Sequence, residues 1–233
     1  PVESYRIARS QGAFIFWNHP HWMSQEKDAI PQLTDTHRML IEEDLLHGLE
    51  VVNDLSFSEE GMAIANRAGL TVIGTSDIHG LVDYQYEIAS GGHRPVTLVF
   101  AEERTENAIK EALFEGRTIT WFDDILAGKE ENMSLLIDAC LQFKNKGYIG
   151  DAEVLQVEIT NSSDARFYLE NTSVYDFHRN TNIISIEPQS SKTLQVLVAR
   201  GSEKDEPLSF KVLNAVTDYR QYLDISFDFF GNE

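Results

Sequence analysis

Two short segments bring together side chains that bind metal ions. Phe16–Trp22 contains His19 next to a proline, and Ile73–Gly80 contains Asp77 and His79. Asp77 and His79 are two residues apart, so on an extended backbone both side chains point to the same face. A carboxylate and an imidazole that converge in this way are ligands of Zn, Mn or Fe sites, and His19 is a candidate third ligand. The alternative interpretation of the pair is an Asp that caps a helix beside a surface His.

Both segments follow runs that are typical of buried strands. Apolar and β-branched runs occur at Ala13–Trp17, Leu49–Val52, Leu70–Gly74, Val96–Phe100 and Thr118–Trp121. Helical patterns lie between them, at about Asp35–His47, Ser58–Ala68 and Thr105–Glu115. Most of the runs are continuous rather than alternating, which predicts a parallel α/β fold over residues 1–128. Loops after the carboxyl ends of parallel strands build active sites, so both segments lie where function is expected.

The last third of the chain has a different pattern. A charged helix at about Glu131–Phe143 belongs to a helical linker predicted over 129–148. Glu153–Thr160 then alternates between apolar and polar residues, and further short strands follow, the last of them at Tyr222–Phe230. Several short strands separated by turns predict a small antiparallel β-sandwich of about 85 residues over 149–233.

Charge and cysteine content exclude several classes of function. Lys and Arg total 19 against 38 Asp and Glu, which gives a formal net charge of −19 at pH 7. Binding to nucleic-acid polymers or to an anionic lipid surface depends on Lys and Arg, so neither is expected. The one cysteine, Cys140, excludes an internal disulfide framework and a Cys-rich zinc site. No apolar run approaches the ~18 residues that a membrane span needs.

Other catalytic patterns are absent from the sequence. Ser76, Asp77 and His79 lie on one segment, whereas the members of a serine-hydrolase triad approach from separate elements. The sequence has no Gly-x-Ser-x-Gly elbow, no phosphate-binding P-loop and no dinucleotide fingerprint. Three further histidines are predicted to lie on the surface: His37, His47 and His178.

Three segments resemble motifs of the PHP (polymerase and histidinol phosphatase) superfamily. They are Gly12–Pro20, Gly48–Asn53 and Ile73–His79, and they are most similar to its bacterial phosphodiesterase branch, sometimes labelled Sb-PDE. The resemblance implies a distorted (β/α)7 barrel with two or three divalent metals at the strand ends, where a metal-bound hydroxide attacks a phosphate ester. The metal ligands that it implies are His19, Asp77 and His79.

The sequence departs from the family pattern in its first residues. Family members begin with a His-x-His strand and carry further ligands across the first half of the barrel, whereas the first 11 residues here indicate the end of a helix. The chain therefore resembles the second half of a PHP barrel, and the other half is expected as a further segment of the same protein or as a separate chain. The resemblance implies a bacterial protein, of the cytoplasm or the periplasm. A second departure is His21, because the branch usually has a small residue at this position.

Four residues near these motifs are candidates for a role beside the metals. Glu50 is a candidate to orient a metal ligand by hydrogen bonding, and Asn53 is a candidate donor to a phosphate oxygen. Arg94 is a candidate phosphate clamp, because guanidinium binds phosphate bidentately. His21 is interpreted as a polar residue at the mouth of the site, in reach of substrate. The alternatives are a structural glutamate, a capping asparagine and a surface arginine.

These observations favour a metal-dependent phosphoesterase, and within that class a phosphodiesterase with a small phosphate-ester substrate. Bound metals would polarise the phosphoryl oxygen and activate water. Two alternatives stay open: an amidase- or deacetylase-like hydrolase with one metal, and a non-catalytic fragment that acts as a binding module. The β-rich tail is expected to pack against the barrel or to form the contact of a homodimer.

Overall fold

The computed structural model describes residues 2–24, 28–199 and 206–228. The chain divides into two compact units, Pro1–Asn132 with Val216–Gln221 and Met133–Ala215 with Tyr222–Glu233. The first unit mixes helices and strands, whereas strands dominate the second. This agrees with the predicted change from an α/β part to a β-rich part. Among the described residues, no helix combines the length and the apolar character that crossing a membrane requires.

The first unit alternates between helices and strands along most of its length. Its helices are α1 (Val2–Ser10), α2 (Asp35–Glu42), α3 (Glu59–Ala68), α4 (Val82–Gln85) and α5 (Glu106–Phe114), with a 3-10 turn at Ile88–Ser90. Its strands are β1 (Phe16–Trp17), β2 (Gly48–Asn53), β3 (Ser56–Phe57), β4 (Thr71–Thr75), β5 (Val96–Val99), β6 (Thr118–Phe122) and β7 (Ile125–Gly128). The helix predicted at the start of the chain is therefore present as α1.

Strands β1, β2 and β4 form a parallel sheet. Strand β2 lies between the other two and pairs in parallel with both. Its residues 48–52 are all buried, as expected for a continuous apolar run. The short strand β3 pairs antiparallel with the end of β2, through Val52 and Phe57. Because the three parallel strands run in one direction, the loops that follow them meet at one edge of the sheet.

Strand β4 is held by close contacts with β5 and β6. A Cβ atom on Gly74 would lie 1.8 Å from Thr120 Oγ1, so only glycine allows this approach. Thr97 Oγ1 donates to the carbonyl of Gly74 at 2.8 Å, and Thr118 Oγ1 donates to the carbonyl of Val72 at 2.7 Å. These threonines fix the strand that leads into the predicted Asp-x-His motif.

Strands β5, β6 and β7 are antiparallel, and the prediction of a parallel arrangement is wrong for them. Val96 pairs with Trp121 in the first ladder, and Phe122 pairs with Ile125 across a tight turn in the second. Asp123 in this turn has a φ of 52°, which is the left-handed region that short turns use. A continuous apolar run indicates that a strand is buried but does not encode its direction. That residues 1–128 form the second half of a barrel stays a prediction.

The ends of α3 follow the capping signals of the sequence. Ser58 Oγ accepts a hydrogen bond from the backbone N–H of Gly61 at 2.9 Å, which satisfies one of the free donors of the first turn. Gly69 ends the helix with a φ of 68°. Helix α5 likewise begins after Thr105, whose side chain accepts from Ala108 N. The two helices therefore lie where the sequence predicted them.

The second unit contains most of helix α6 and the strands that follow it. The elements are α6 (Glu130–Cys140), β8 (Leu141–Tyr148), β9 (Val154–Asn161), β10 (Phe167–Asn171), β11 (Ile183–Ile186), β12 (Ser190–Leu197), β13 (Leu208–Asp218) and β14 (Gln221–Phe227). Residues 141–148 were expected in a helical linker, and this is wrong because they pair with β9 along their whole length. Positions 229–230 of the predicted last strand lie outside the described residues.

The strands of the second unit form two sheets that face each other. Strands β8, β9 and β12 form one sheet, and β10, β11, β13 and β14 belong to the other. The alternation predicted for β9 is confirmed, since Leu155, Val157 and Ile159 are buried and their neighbours are partly exposed. Phe143 of the first sheet stacks on Phe210 of the second, with ring centroids 6.0 Å apart. This packing is typical of a β-sandwich.

Candidate functional site

A cleft lies at the edge of the first unit where β1, β2 and β4 end. Its volume is about 690 Å³. Four of the predicted site residues line it: His19, Asn53, Asp77 and His79. The other lining residues are Trp22, Asp54, Leu55 and Ser56. The tertiary structure therefore brings together residues that are up to 60 positions apart in the sequence, and it does so through the loops after the parallel strands.

Glu50 connects the three strand ends beneath this cleft. Its side chain is 1% exposed, and its Oε2 accepts a hydrogen bond from the backbone N–H of His19 at 2.6 Å. Its Oε1 accepts from Thr75 Oγ1 at 2.5 Å. The imidazole Nδ1 of His19 lies 3.4 Å from Oε2. Glu50 thus holds the backbone of a candidate metal ligand and lies close to its ring, and its role in orienting that ligand stays a prediction.

Asp77 and His79 form a neighbouring pair on the loop after β4. Asp77 Oδ1 lies 3.4 Å from His79 Nε2, and the His79 side chain is 84% exposed. Asp77 has a φ of 43°, so the backbone enters the left-handed region directly after Ser76. This turn brings the carboxylate and the imidazole to one another and leaves both in contact with the cleft.

A hydrogen-bond chain links His21 to Asn53. Ser56 Oγ donates its only proton to the carbonyl of Asn53 at 2.7 Å, so it accepts from His21 Nε2, which lies 2.8 Å away. His21 Nδ1 is then the unprotonated nitrogen; it is buried and finds no hydrogen-bond partner among the described residues. Burial lowers the pKa of His21 below its usual value. His21 is therefore linked through Ser56 to the backbone carbonyl of Asn53, and it is not among the described residues that line the cleft.

Asn53 carries a donor that has no acceptor among the residues that the structure describes. Its Nδ2 is buried, and no hydrogen-bond partner for it exists in the described part of the chain. Asn53 also lines the cleft. A buried amide nitrogen without a partner is costly, and an acceptor supplied by a ligand oxygen would remove that cost. The predicted role of Asn53 as a donor to a phosphate oxygen remains a prediction, and this geometry favours it.

Asp54 and Tyr86 were not singled out from the sequence. Asp54 follows β2, lines the cleft and accepts from the Tyr86 hydroxyl at 2.9 Å and from Gln85 Nε2 at 3.0 Å. The same hydroxyl also contacts the carbonyl of Ser76. Burial and the Asp54 carboxylate raise the pKa of Tyr86 to about 12. The position of Asp54 at a strand end was a usable signal, whereas Tyr86 belongs to no motif.

Arg94 lies near enough to Tyr86 for its positive charge to act against the raised pKa of that hydroxyl. It is exposed ahead of β5 and does not belong to the set of described residues that line the cleft. Its neighbour His93 packs against Trp121, with ring centroids 4.2 Å apart. The role of Arg94 as a phosphate clamp stays a prediction.

The donor types in the cleft suit a divalent metal, but the geometry of a complete site is not formed by these residues. Imidazole and carboxylate are ligands of Zn, Mn and Fe. Nevertheless, no group of three or more His, Cys, Asp or Glu side chains in residues 2–24, 28–199 and 206–228 converges closely enough to hold an ion. The structure shows two pairs instead, His19 with Glu50 and Asp77 with His79.

A comparison with solved structures covers both units of the chain. The chain is similar to the crystal structure of a two-domain protein from Bacteroides vulgatus ATCC 8482, described as containing a predicted PHP-like metal-dependent phosphoesterase. The TM-score is 0.88 and the sequence identity 30%, over 97% of this chain. The chain spans 65% of the length of that protein. The similarity agrees with the resemblance to the PHP superfamily, while the bacterial phosphodiesterase branch stays a prediction.

The second unit has a match of its own. Residues 141–228 match the model of an Ig-like domain family, DUF5001. This range begins at the first residue of β8, and it agrees with the two facing sheets described above. No curated protein matches the chain in sequence.

Proposed function

We propose that this chain is part of a metal-dependent hydrolase of small phosphate esters, and that its cleft holds the phosphoryl group. The observation that carries the proposal is the cleft at the strand ends, with two imidazoles, two carboxylates and one unpartnered amide donor. The similarity to a protein with a predicted PHP-like phosphoesterase supports the same class of reaction.

The charges around the cleft explain why such an enzyme would require a metal. Asp54 and Asp77 line it, Glu50 lies beneath it, and no Lys or Arg is among its described lining residues. A phosphate group would be repelled by these carboxylates at close range. A divalent metal bound by His19, Asp77 and His79 would offset most of this negative charge and polarise a phosphoryl oxygen. Asn53 would then donate a hydrogen bond to another oxygen of the same group.

The type of phosphate ester and the kind and number of metals are proposed from the sequence motifs. We propose a phosphodiester as the substrate and two or three metals, Zn, Mn or Fe, as the cofactors. Because the three ligands do not form a closed group, further ligands are proposed to come from outside these 233 residues, on another segment or chain. A homodimer and a bacterial cytoplasmic or periplasmic location also stay proposals.

Metal and phosphate binding test the proposal directly. We expect Mn²⁺ or Zn²⁺ to bind the purified chain in isothermal titration calorimetry, and inorganic phosphate to bind only after the metal. The double variant Asp77→Asn, His79→Ala should weaken metal binding at least about tenfold. Loss of residues that only orient metal ligands already weakens metal binding by about 10- to 100-fold, and these two residues are proposed as ligands themselves. His178→Ala is the matched control, because His178 is an exposed histidine of the second unit that bonds to Gln195. Unchanged metal binding in the double variant would refute the assignment.

A further inference from the structure

Two exposed apolar side chains border the polar cleft. Trp22, in the loop after β1, is 55% exposed, and Leu55, in the turn after β2, is 66% exposed. Both line the cleft together with His19 and Asp77. Large apolar groups that stay in water at the edge of a polar site are typical of ligand recognition.

The indole of Trp22 lies next to a candidate metal ligand. The rings of Trp22 and His19 meet edge to face, with centroids 6.0 Å apart. A group bound at the His19 imidazole is therefore within reach of the indole. Further exposed apolar residues follow the same strand ends: Met23 after β1, and Leu81 and Tyr84 after β4, with exposures of 73%, 70% and 82%.

The carboxylates of the cleft limit how strongly a phosphate group alone would bind. Asp54 and Asp77 repel anions, and the whole chain carries a net charge of −19. A ligand with several phosphates gains little in such a field. Affinity beyond that supplied by the metal therefore comes from the organic part of the ester, where aromatic rings that pack in an offset or edge-to-face way provide it.

We infer that the substrate is an ester with one phosphate group and a flat aromatic substituent, which packs against Trp22 and Leu55. The inference rests on the proposed function, because it places the phosphoryl group beside His19 and Asp77. The organic group then occupies the rim. In the hydrolysis the oxygen of water forms a new bond to phosphorus, the bond between phosphorus and the oxygen of the aromatic alcohol breaks, and a proton from the water ends on that alcohol.

Three phosphates of increasing apolar character test this inference. In the presence of Mn²⁺ we expect phenyl phosphate to bind about tenfold more tightly than methyl phosphate, which corresponds to about 1.4 kcal/mol. Inorganic phosphate and methyl phosphate should bind with similar affinity. In Trp22→Ala the preference for phenyl phosphate over methyl phosphate should fall below about threefold. Tyr84→Ala is the matched control, because it removes an exposed aromatic ring that is not among the described lining residues.

The outcomes separate this inference from the proposed function. Equal binding of all three phosphates would overturn the inference and leave the proposed function intact. A preference for phenyl phosphate that persists in Trp22→Ala with Leu55→Ala would also overturn it, because the aromatic group would then bind elsewhere. If none of the three binds with metal present, the proposed function fails for this chain and the inference fails with it. Circular dichroism checks the fold of each variant.

Discussion

Removing the carboxylate of Glu50 tests how the cleft is held together. The substitution Glu50→Ala leaves two donors without their acceptor, the backbone N–H of His19 and Oγ1 of Thr75. Hydrogen bonds to a charged group contribute about 1.5–3 kcal/mol each to stability. Because Glu50 is 1% exposed, water does not replace it freely. We therefore expect Glu50→Ala to lower the free energy of unfolding by about 3–6 kcal/mol, from the sum of the two bonds.

Two further substitutions separate the contributions of the two hydrogen bonds and of the charge to this loss of stability. Thr75→Val removes one donor and keeps the bond to His19, so its expected cost is about 1.5–3 kcal/mol, the value of one such bond. Glu50→Gln is isosteric and keeps one oxygen for His19, while its amide nitrogen can donate to the hydroxyl of Thr75. It loses mainly the charge of the acceptor, and we expect a cost near that of Thr75→Val.

The same substitutions affect the metal site unequally. His19 has a φ of 54°, a conformation that its bond to Glu50 helps to hold. Loss of that bond in Glu50→Ala should weaken metal binding by about 10- to 100-fold, the usual effect of removing a group that orients a ligand. Thr75→Val should change it by less than about threefold, because the bond between Glu50 and His19 remains.

Urea denaturation and metal titration on the four proteins measure these effects. Stability is compared from the urea midpoints at constant slope. The reasoning would be refuted if Glu50→Ala were within about 0.5 kcal/mol of the unsubstituted chain, the range of ordinary surface substitutions. It would also be refuted if Thr75→Val weakened metal binding as much as Glu50→Ala.

Two further predictions concern buried polar groups. Burial lowers the pKa of His47, whose Nδ1 accepts from Ile15 N, so the unfolded chain binds more protons just below pH 6.5. The free energy of unfolding should therefore fall as the pH drops below about 6.5. In His47→Gln the free energy of unfolding, measured by urea denaturation between about pH 5 and 7.5, should change less with pH. An equal dependence on pH in the variant would contradict this prediction. Tyr86→Phe removes the hydroxyl that contacts Asp54 and the carbonyl of Ser76, and should cost about 1–3 kcal/mol in the same assay. A loss below about 0.5 kcal/mol would show that the hydroxyl does not hold the loop.

The local signals of the sequence were sufficient where the structure depends on neighbouring residues. Ser58 and Gly69 mark the ends of α3, because capping is a contact within one turn of helix. The alternation of Leu155, Val157 and Ile159 identified the buried face of β9, because side chains on a strand alternate between its two faces. Neither inference needs information from another part of the chain.

Features that depend on distant partners were missed or wrongly predicted. His47 was expected on a surface helix, but its side chain is 5% exposed, and its ring packs between Phe14 and Phe114. Nothing in the residues around His47 encodes these contacts. Likewise the run at Thr118–Trp121 has the composition of a buried strand, but its antiparallel direction follows from its pairing with β5.

For the site, the sequence by itself determined the chemical groups and the backbone positions from which they project. His19, Asn53, Asp77 and His79 were identified because they end or follow apolar strands. Only the tertiary structure decided which of these groups meet and what holds them. Glu50 reaches two strand ends, and Tyr86 joins two loops, because folding brings segments 25 to 32 residues apart into hydrogen-bond contact. The physical reason is that a hydrogen bond depends on distance in space, whereas a sequence pattern records only distance along the chain.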